Sequence, residues 1–208
     1  MSSYFRWFGL PGTFVLTMLM SLFALALFII FRKRDRFICF IGMAVSTIGD
    51  IILMNFKDIG DLLPIPYFYV GAVFFIFAHL IYTYAFMSMI KENNFKYINP
   101  GFWVSVAVSA VTGVIVTYLY FTSSNPNIVM YILCMVYLVI IATNCATIFS
   151  FSFSVKDYRC IAAVGAISFF VSDLFIGLDK LAGITTDLLQ ECIWWFYPIG
   201  QILLLIGG

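Results

Sequence analysis

Apolar residues form seven long runs along this chain, and short segments rich in charged or turn-forming residues separate them. A helix needs about 20 mostly apolar residues to cross the hydrocarbon core of a bilayer, and most of the runs approach or exceed that length. The last run is the shortest, and we expect its helix to begin near Leu188. The pattern predicts an all-α membrane protein, a polytopic bundle of about seven transmembrane helices in one integral membrane domain, residues 1–208. The predicted spans are 12–31, 37–54, 67–90, 101–121, 128–153, 160–178 and 192–206.

The composition agrees with a membrane protein and does not fit a soluble domain. Hydrophobic residues make up 63% and charged residues 10% of the chain, and the mean hydropathy is +1.07, far from the values of soluble domains. The net charge of +1 gives no reason to expect a nucleic acid as partner. Five cysteines show no CxxC spacing, so neither a disulfide framework nor a metal site is expected.

The basic residues predict an orientation. Three loops on one side of the membrane, residues 32–36, 91–96 and 156–159, hold eight of the 11 Lys and Arg residues, and the other side holds three. Because basic loops stay in the cytoplasm, we expect the N-terminus outside and the C-terminus in the cytoplasm. The protein would be a multi-pass protein of the plasma or inner membrane in a bacterium, or of the endoplasmic reticulum in a eukaryote.

Three ionisable residues lie inside apolar runs: Asp50, Asp173 and His79. A charge in a membrane span costs about 2.5–3.5 kcal/mol on insertion scales, so such residues usually line a cavity and have a function. Simpler interpretations stay open. Each Asp could hydrogen-bond across helices as a packing residue, Asp173 could pair with Lys180, and His79 could be a buried packing residue.

The sequence predicts similar depths in the membrane for these residues. Asp50 lies 13 residues past Phe37, and Asp173 lies 13 residues past Cys160. With a rise of about 1.5 Å per residue, both carboxyl groups lie roughly 20 Å from the cytoplasmic boundary. His79 falls near the middle of its own span. We therefore expect these polar side chains to face one shared cavity.

A weak internal symmetry supports the same grouping. Gly42 and Gly165 stand eight residues before Asp50 and Asp173, and a small residue immediately precedes each Asp. The two Asp residues are 123 positions apart. A parallel repeat of a helix pair would produce this pattern.

Four motifs now carry a family resemblance: SxxGDxxL at Ser46–Leu53, GAxFFxxxHLxY at Gly71–Tyr82, GAxxFxxSDxxxG at Gly165–Gly177 and YxxGQxLL at Tyr197–Leu204. They resemble, in order, the motifs of the YhhN family of bacterial and animal lysoplasmalogenases. The resemblance covers the chain from about Ser46 to the C-terminus. It departs from the family in two respects: family members usually have eight spans, and the fourth motif often carries His where Gln201 stands here.

The resemblance implies hydrolysis of the sn-1 vinyl ether bond of a lysoplasmalogen to a fatty aldehyde and a glycerophospho-base. The substrate would be lysoplasmenyl-ethanolamine or -choline, the other reactant water, and no cofactor or metal is implied. The reaction requires a protonated acid and a nearby negative group, a division of roles known for paired carboxyls. The implied catalytic residues are Asp50, Asp173 and His79, and the implied substrate-binding residues are Tyr82, Ser172, Tyr197, Gln201 and Ser46.

The absence of particular residue types excludes two alternative functions, and a third remains. A seven-span zinc hydrolase would need three histidines, whereas the chain has one. A retinal protein would need a lysine in the middle of a span, and the runs contain none. A proton-coupled transporter of small molecules or lipids remains the alternative, because intramembrane acids and repeats are also typical of transporters.

Overall fold

The computed structural model describes residues 6–7, 10–123, 126–183 and 186–208. In this part of the chain, seven helices are long and apolar enough to cross a membrane, which confirms the predicted all-α membrane fold. Two 3-10 helices, Phe56–Leu62 and Tyr158–Ile161, and one antiparallel pair of two-residue strands, Arg6–Trp7 and Leu10–Pro11, accompany them. The helices are α1 Gly12–Phe31, α2 Arg34–Leu53, α3 Tyr67–Glu92, α4 Pro100–Thr122, α5 Ile128–Ser154, α6 Ala162–Ala182 and α7 Asp187–Gly207.

Polar residues at the N-terminus, rather than hydropathy alone, mark where two helices begin. Helix α7 spans 21 residues because it starts at Asp187, where the Thr186 side chain accepts a hydrogen bond from the Leu189 amide. Helix α2 starts at Arg34 and carries Asp35 in its first turn. Acidic residues near a helix N-terminus offset its dipole. Both helices therefore extend beyond the apolar runs that predicted them.

The chain forms two compact units, Met1–Ala85 and Phe86–Gly208. In the first unit, α1 packs on α2, and the 3-10 helix after α2 is tied to the start of α1 by stacking of Phe56 on Phe14, with ring centroids 4.3 Å apart. The Asn55 side chain closes this turn by accepting a hydrogen bond of 2.6 Å from the Gly60 amide. The prediction of a single membrane domain stays a prediction.

In the second unit, α6 and α7 approach each other closely at two glycines. A Cβ on Gly165 would lie 2.7 Å from the Leu204 amide nitrogen, and one on Gly200 would lie 2.7 Å from that of Phe169. At one end of this unit, Arg159 donates to the Gly207 carbonyl over 2.9 Å. The backbones of α6 and α7 are thus in direct contact, as is common between membrane helices with small residues.

The predicted orientation can be tested at two exposed positions of the first unit, Lys33 before α2 and Asp58 in the 3-10 helix after it. In a variant without native cysteines, we expect a membrane-impermeant maleimide to label Asp58→Cys on intact cells and Lys33→Cys only after permeabilisation. The reason is the excess of basic residues around Lys33. Labelling of Lys33→Cys on intact cells would contradict the orientation.

Candidate functional site

In the first unit, Asp50 lies on α2 and is only 5% exposed. The hydroxyl group of Thr17, a fully buried residue of α1, donates a hydrogen bond to Asp50 Oδ2. Two further hydroxyl groups continue from Thr17 in a chain of contacts. Thr47 Oγ1 lies 3.5 Å from Thr17 Oγ1, and Ser21 Oγ lies 2.6 Å from Thr47 Oγ1. The Thr17 hydroxyl therefore holds the carboxyl across the α1–α2 interface, and the other two hydroxyls extend this polar cluster.

Helix α3 contributes His79 and Tyr82, both fully buried. The two residues are three positions apart, so they lie on the same side of the helix. The Tyr82 ring rests against Gly42, where a Cβ would lie 2.9 Å from ring atom Cε1. Tyr82 also interacts electrostatically with Asp50. This unit thus brings together Asp50 and Tyr82, two of the predicted site residues.

Ser46 belongs to the same unit and is fully buried. It precedes Asp50 by one helical turn of α2, so the two side chains share one face of that helix. The first motif of the sequence therefore places two polar side chains on the buried face of α2.

In the second unit, Asp173 on α6 is half-buried and accepts a hydrogen bond of 2.8 Å from the Tyr137 hydroxyl of α5. Tyr137 also lies near Tyr197 of α7. Lys180, the other partner that the sequence suggested for Asp173, forms an ion pair of 2.9 Å with Asp179. Helices α5, α6 and α7 therefore meet around Asp173.

The other predicted residues of this unit are buried along the α6–α7 interface. The Ser172 hydroxyl donates to the Ile193 carbonyl over 3.3 Å, so it fastens α6 to α7. Tyr197 is 4% exposed and packs edge-on against Phe169, with ring centroids 5.5 Å apart. Gln201, one turn further along α7, is fully buried. A substrate-binding role for these residues stays a prediction.

Sequence reasoning missed the hydroxyl partners of both acids. Thr17 and Ser21 stand four residues apart in the most apolar run of the chain, and this spacing was an available signal of a polar face. Tyr137 lies in the run LCMVYLVII with no polar residue nearby. Its role became visible only from its contact with Asp173.

The two acids have comparable contacts in their own units, although Asp50 is buried and Asp173 is half-buried. Each accepts a hydrogen bond from a hydroxyl on the preceding helix, and the glycine eight residues earlier contacts the following helix. Gly42 meets Tyr82, and Gly165 meets Leu204. The two contacted residues are 122 positions apart and the glycines 123. The contacts thus follow the offset of the predicted repeat, with α1–α3 matching α5–α7.

Comparison with known protein families now places the chain. The model of the YhhN family matches residues 12–208, nearly the whole sequence, and the protein belongs to this family. No curated protein and no solved structure matches it. The family match begins before the motifs that predicted it and includes α1, so Thr17 and Ser21 lie within the family region. That Asp50 and Asp173 face one cavity stays a prediction, since each is described within its own unit.

Proposed function

We propose that the protein is a membrane-embedded hydrolase that cleaves the sn-1 vinyl ether bond of lysoplasmalogens. One observation above all supports this proposal: Asp50 is a carboxyl group buried at 5% exposure within a membrane span and held by the Thr17 hydroxyl. A fixed carboxyl group in a medium of low dielectric constant suits proton transfer to carbon, because burial disfavours its charged form. Membership of the YhhN family is consistent with a hydrolase.

The chemistry proceeds by acid catalysis. A protonated carboxyl group transfers its proton to the carbon of the vinyl ether double bond that is not bonded to oxygen. The cation that results is an oxocarbenium ion. Water adds to this cation and gives up a proton, which forms a hemiacetal and restores the protonated acid. The hemiacetal then collapses to a fatty aldehyde and the free hydroxyl of the glycerophospho-base. No oxidant or reductant is required, and atoms balance with one water consumed.

We assign the residues roles in this sequence of steps. One of the two residues Asp50 and Asp173 acts as proton donor and the other as counter-charge, since paired carboxyls divide such roles when their environments differ. We pair the two residues because their positions in the sequence predict equal depths in the membrane. His79 orients the attacking water. The remaining polar residues, Tyr82, Ser46, Ser172, Tyr197 and Gln201, order the substrate.

The surroundings of the acids support a lipid as the substrate. Both carboxyls lie within helices that are long and apolar enough to cross a membrane, so a lipid with its reactive bond close to its headgroup would reach them from the bilayer. Lysoplasmenyl-ethanolamine and lysoplasmenyl-choline are such single-chain lipids. Integral membrane placement of the enzyme would thus spare the substrate a passage through water.

The test is release of aldehyde by the purified protein in detergent, measured by reduction of the aldehyde with a coupled alcohol dehydrogenase. We expect product from a lysoplasmalogen and none from the matched 1-O-alkyl lysophospholipid, which has no double bond to protonate. A 1-acyl lysophospholipid serves as the second control, with free fatty acid as the product measured, because its cleavage would indicate an esterase. Absence of aldehyde from the vinyl ether lipid would refute the proposal.

Proton-coupled transport is the second candidate, and the comparable contacts of Asp50 and Asp173 in their units favour it. Transporters are often built from repeats that each carry part of a binding site. A transporter would move a labelled lysolipid across proteoliposomes in response to a pH gradient without cleaving it. Uptake without aldehyde release would favour this function over hydrolysis.

A further inference from the structure

Each of the two intramembrane acids accepts a hydrogen bond from a neutral hydroxyl group. Thr17 donates to Asp50, and Tyr137 donates to Asp173. An arginine or lysine in these places would hold the carboxyl in its ionised form. A hydroxyl group can both donate and accept a hydrogen bond, so it can serve a carboxyl group whether or not that group carries its proton.

Around Thr17 the second acceptor that this arrangement needs is also present. When Asp50 is ionised, Thr17 donates to Oδ2. When Asp50 is protonated, the carboxyl donates to the Thr17 oxygen, and the Thr17 proton must turn to another acceptor. The Thr47 oxygen lies 3.5 Å from the Thr17 oxygen and can accept this hydrogen bond. The Thr47 hydroxyl donates its own hydrogen bond to the Met43 carbonyl over 2.9 Å. Its oxygen lone pairs are therefore available to accept from Thr17 and from Ser21.

We propose that Thr17 is a positioning residue that holds the Asp50 carboxyl in both of its protonation states, with Thr47 as the second acceptor. Its catalytic consequence rests on the proposed function, in which Asp50 gains or loses a proton in each turnover. A buried polar group left without a partner in either state would raise the energy of that state. Thr17 thus keeps the carboxyl in one orientation throughout the cycle, although it does not touch the substrate.

Two substitutions separate the hydroxyl group from the shape of the side chain. Thr17→Val keeps the branched shape and removes the hydroxyl, whereas Thr17→Ser keeps the hydroxyl and removes a methyl group. We expect Thr17→Val to lower kcat by about tenfold to a hundredfold, in line with loss of one hydrogen bond to a charged group, with KM little changed. Thr17→Ser should stay within about threefold of the unsubstituted protein, because its hydroxyl group still serves both states.

A matched control is Thr112→Val. Thr112 is 6% exposed on α4, and its hydroxyl donates to the Val108 carbonyl of its own helix over 3.0 Å. This variant loses a buried hydroxyl that is not bonded to a carboxyl group, and we expect its kcat to be unchanged. Should Thr17→Val fail to fold, Thr47→Val carries the same test, because it removes the second acceptor while leaving Thr17 in place.

Infrared spectroscopy provides a readout that does not depend on turnover. The carboxyl bands of Asp50 are identified as those lost in Asp50→Asn, with the protein in acidic and in alkaline buffer. Thr17→Val should shift these bands, and Thr17→Ser should restore them. If the bands behave this way in a protein that releases no aldehyde, the proposed function fails and the role of Thr17 stands. Unshifted bands in Thr17→Val, or a Thr17→Ser variant as impaired as Thr17→Val, would overturn the inference.

Discussion

Asp50→Asn and Asp173→Asn are each expected to lower the turnover of lysoplasmalogen by roughly 10²-fold or more, the usual contribution of a general acid or base. Asparagine keeps the size of the side chain and its hydrogen-bonding capacity. It cannot donate an acidic proton or carry the negative charge that stabilises an oxocarbenium ion. The variants should remain folded in detergent, because Thr17 and Tyr137 can donate to the amide oxygen as they do to the carboxyl. The measurement is kcat for aldehyde release.

Asp179→Asn is the matched control for this experiment. Asp179 lies on the same helix as Asp173 but pairs with the neighbouring Lys180, so its substitution should leave kcat nearly unchanged. His79→Gln should cost less than either Asp substitution, because an amide can still orient water. Near-normal turnover in both Asp50→Asn and Asp173→Asn would mean that the acids are structural. Tyr82 and Tyr197 would then be the next candidates for the proton donor.

Gly165→Ala and Gly200→Ala are expected to destabilise the second unit by about 1–3 kcal/mol each, the usual cost of overpacking, or more. At Gly165 the new methyl group would lie 2.7 Å from the Leu204 amide nitrogen and 2.9 Å from the Gly200 carbonyl oxygen. These are backbone atoms, which cannot turn aside as a flexible side chain does. The helices α6 and α7 must therefore separate, and the lowered midpoint of thermal unfolding in detergent measures the loss.

Gly177→Ala tests whether the effect comes from packing or from the loss of glycine itself. Gly177 lies on the same helix as Gly165, but among the residues that the structure describes no atom outside its own turn of helix lies within 4 Å of a Cβ built on it. Alanine there should be neutral or stabilising by up to about 1 kcal/mol, because alanine favours helix more than glycine does. A midpoint for Gly165→Ala as high as that for Gly177→Ala would show that α6 and α7 are not in backbone contact.

The helical part of the fold could be predicted because each span is a local property. Within a bilayer, a segment must satisfy its own backbone hydrogen bonds, so a long apolar run has few alternatives to helix. Helix α1 begins and ends at the residues that hydropathy indicates, Gly12 and Phe31. Hydropathy alone located the start of α7 less well, because Thr186 and Asp187 are polar residues that belong to the helix end and not to the lipid-facing run.

The candidate site was predictable in part. Asp50, Asp173 and His79 stand out because a charged or ionisable residue in an apolar run is costly, and the glycines before the acids stand out by their spacing. Their partners do not stand out. Thr17 and Tyr137 are common residues of membrane helices, and nothing in a single run tells whether such a hydroxyl bonds its own helix, as Thr112 does, or a neighbour.

Sequence by itself determined the class of the protein, the number of its membrane helices, its family and the residues most expensive to bury. These properties follow from composition and spacing within short segments, where the free energy of transfer into the bilayer dominates. Only the tertiary structure decided that Thr17 meets Asp50, that Tyr137 meets Asp173, and that Gly165 and Gly200 lie in backbone contact. Such contacts depend on how each helix is rotated and shifted against its neighbour. Many small packing and hydrogen-bond terms set that arrangement together, and no single segment encodes it.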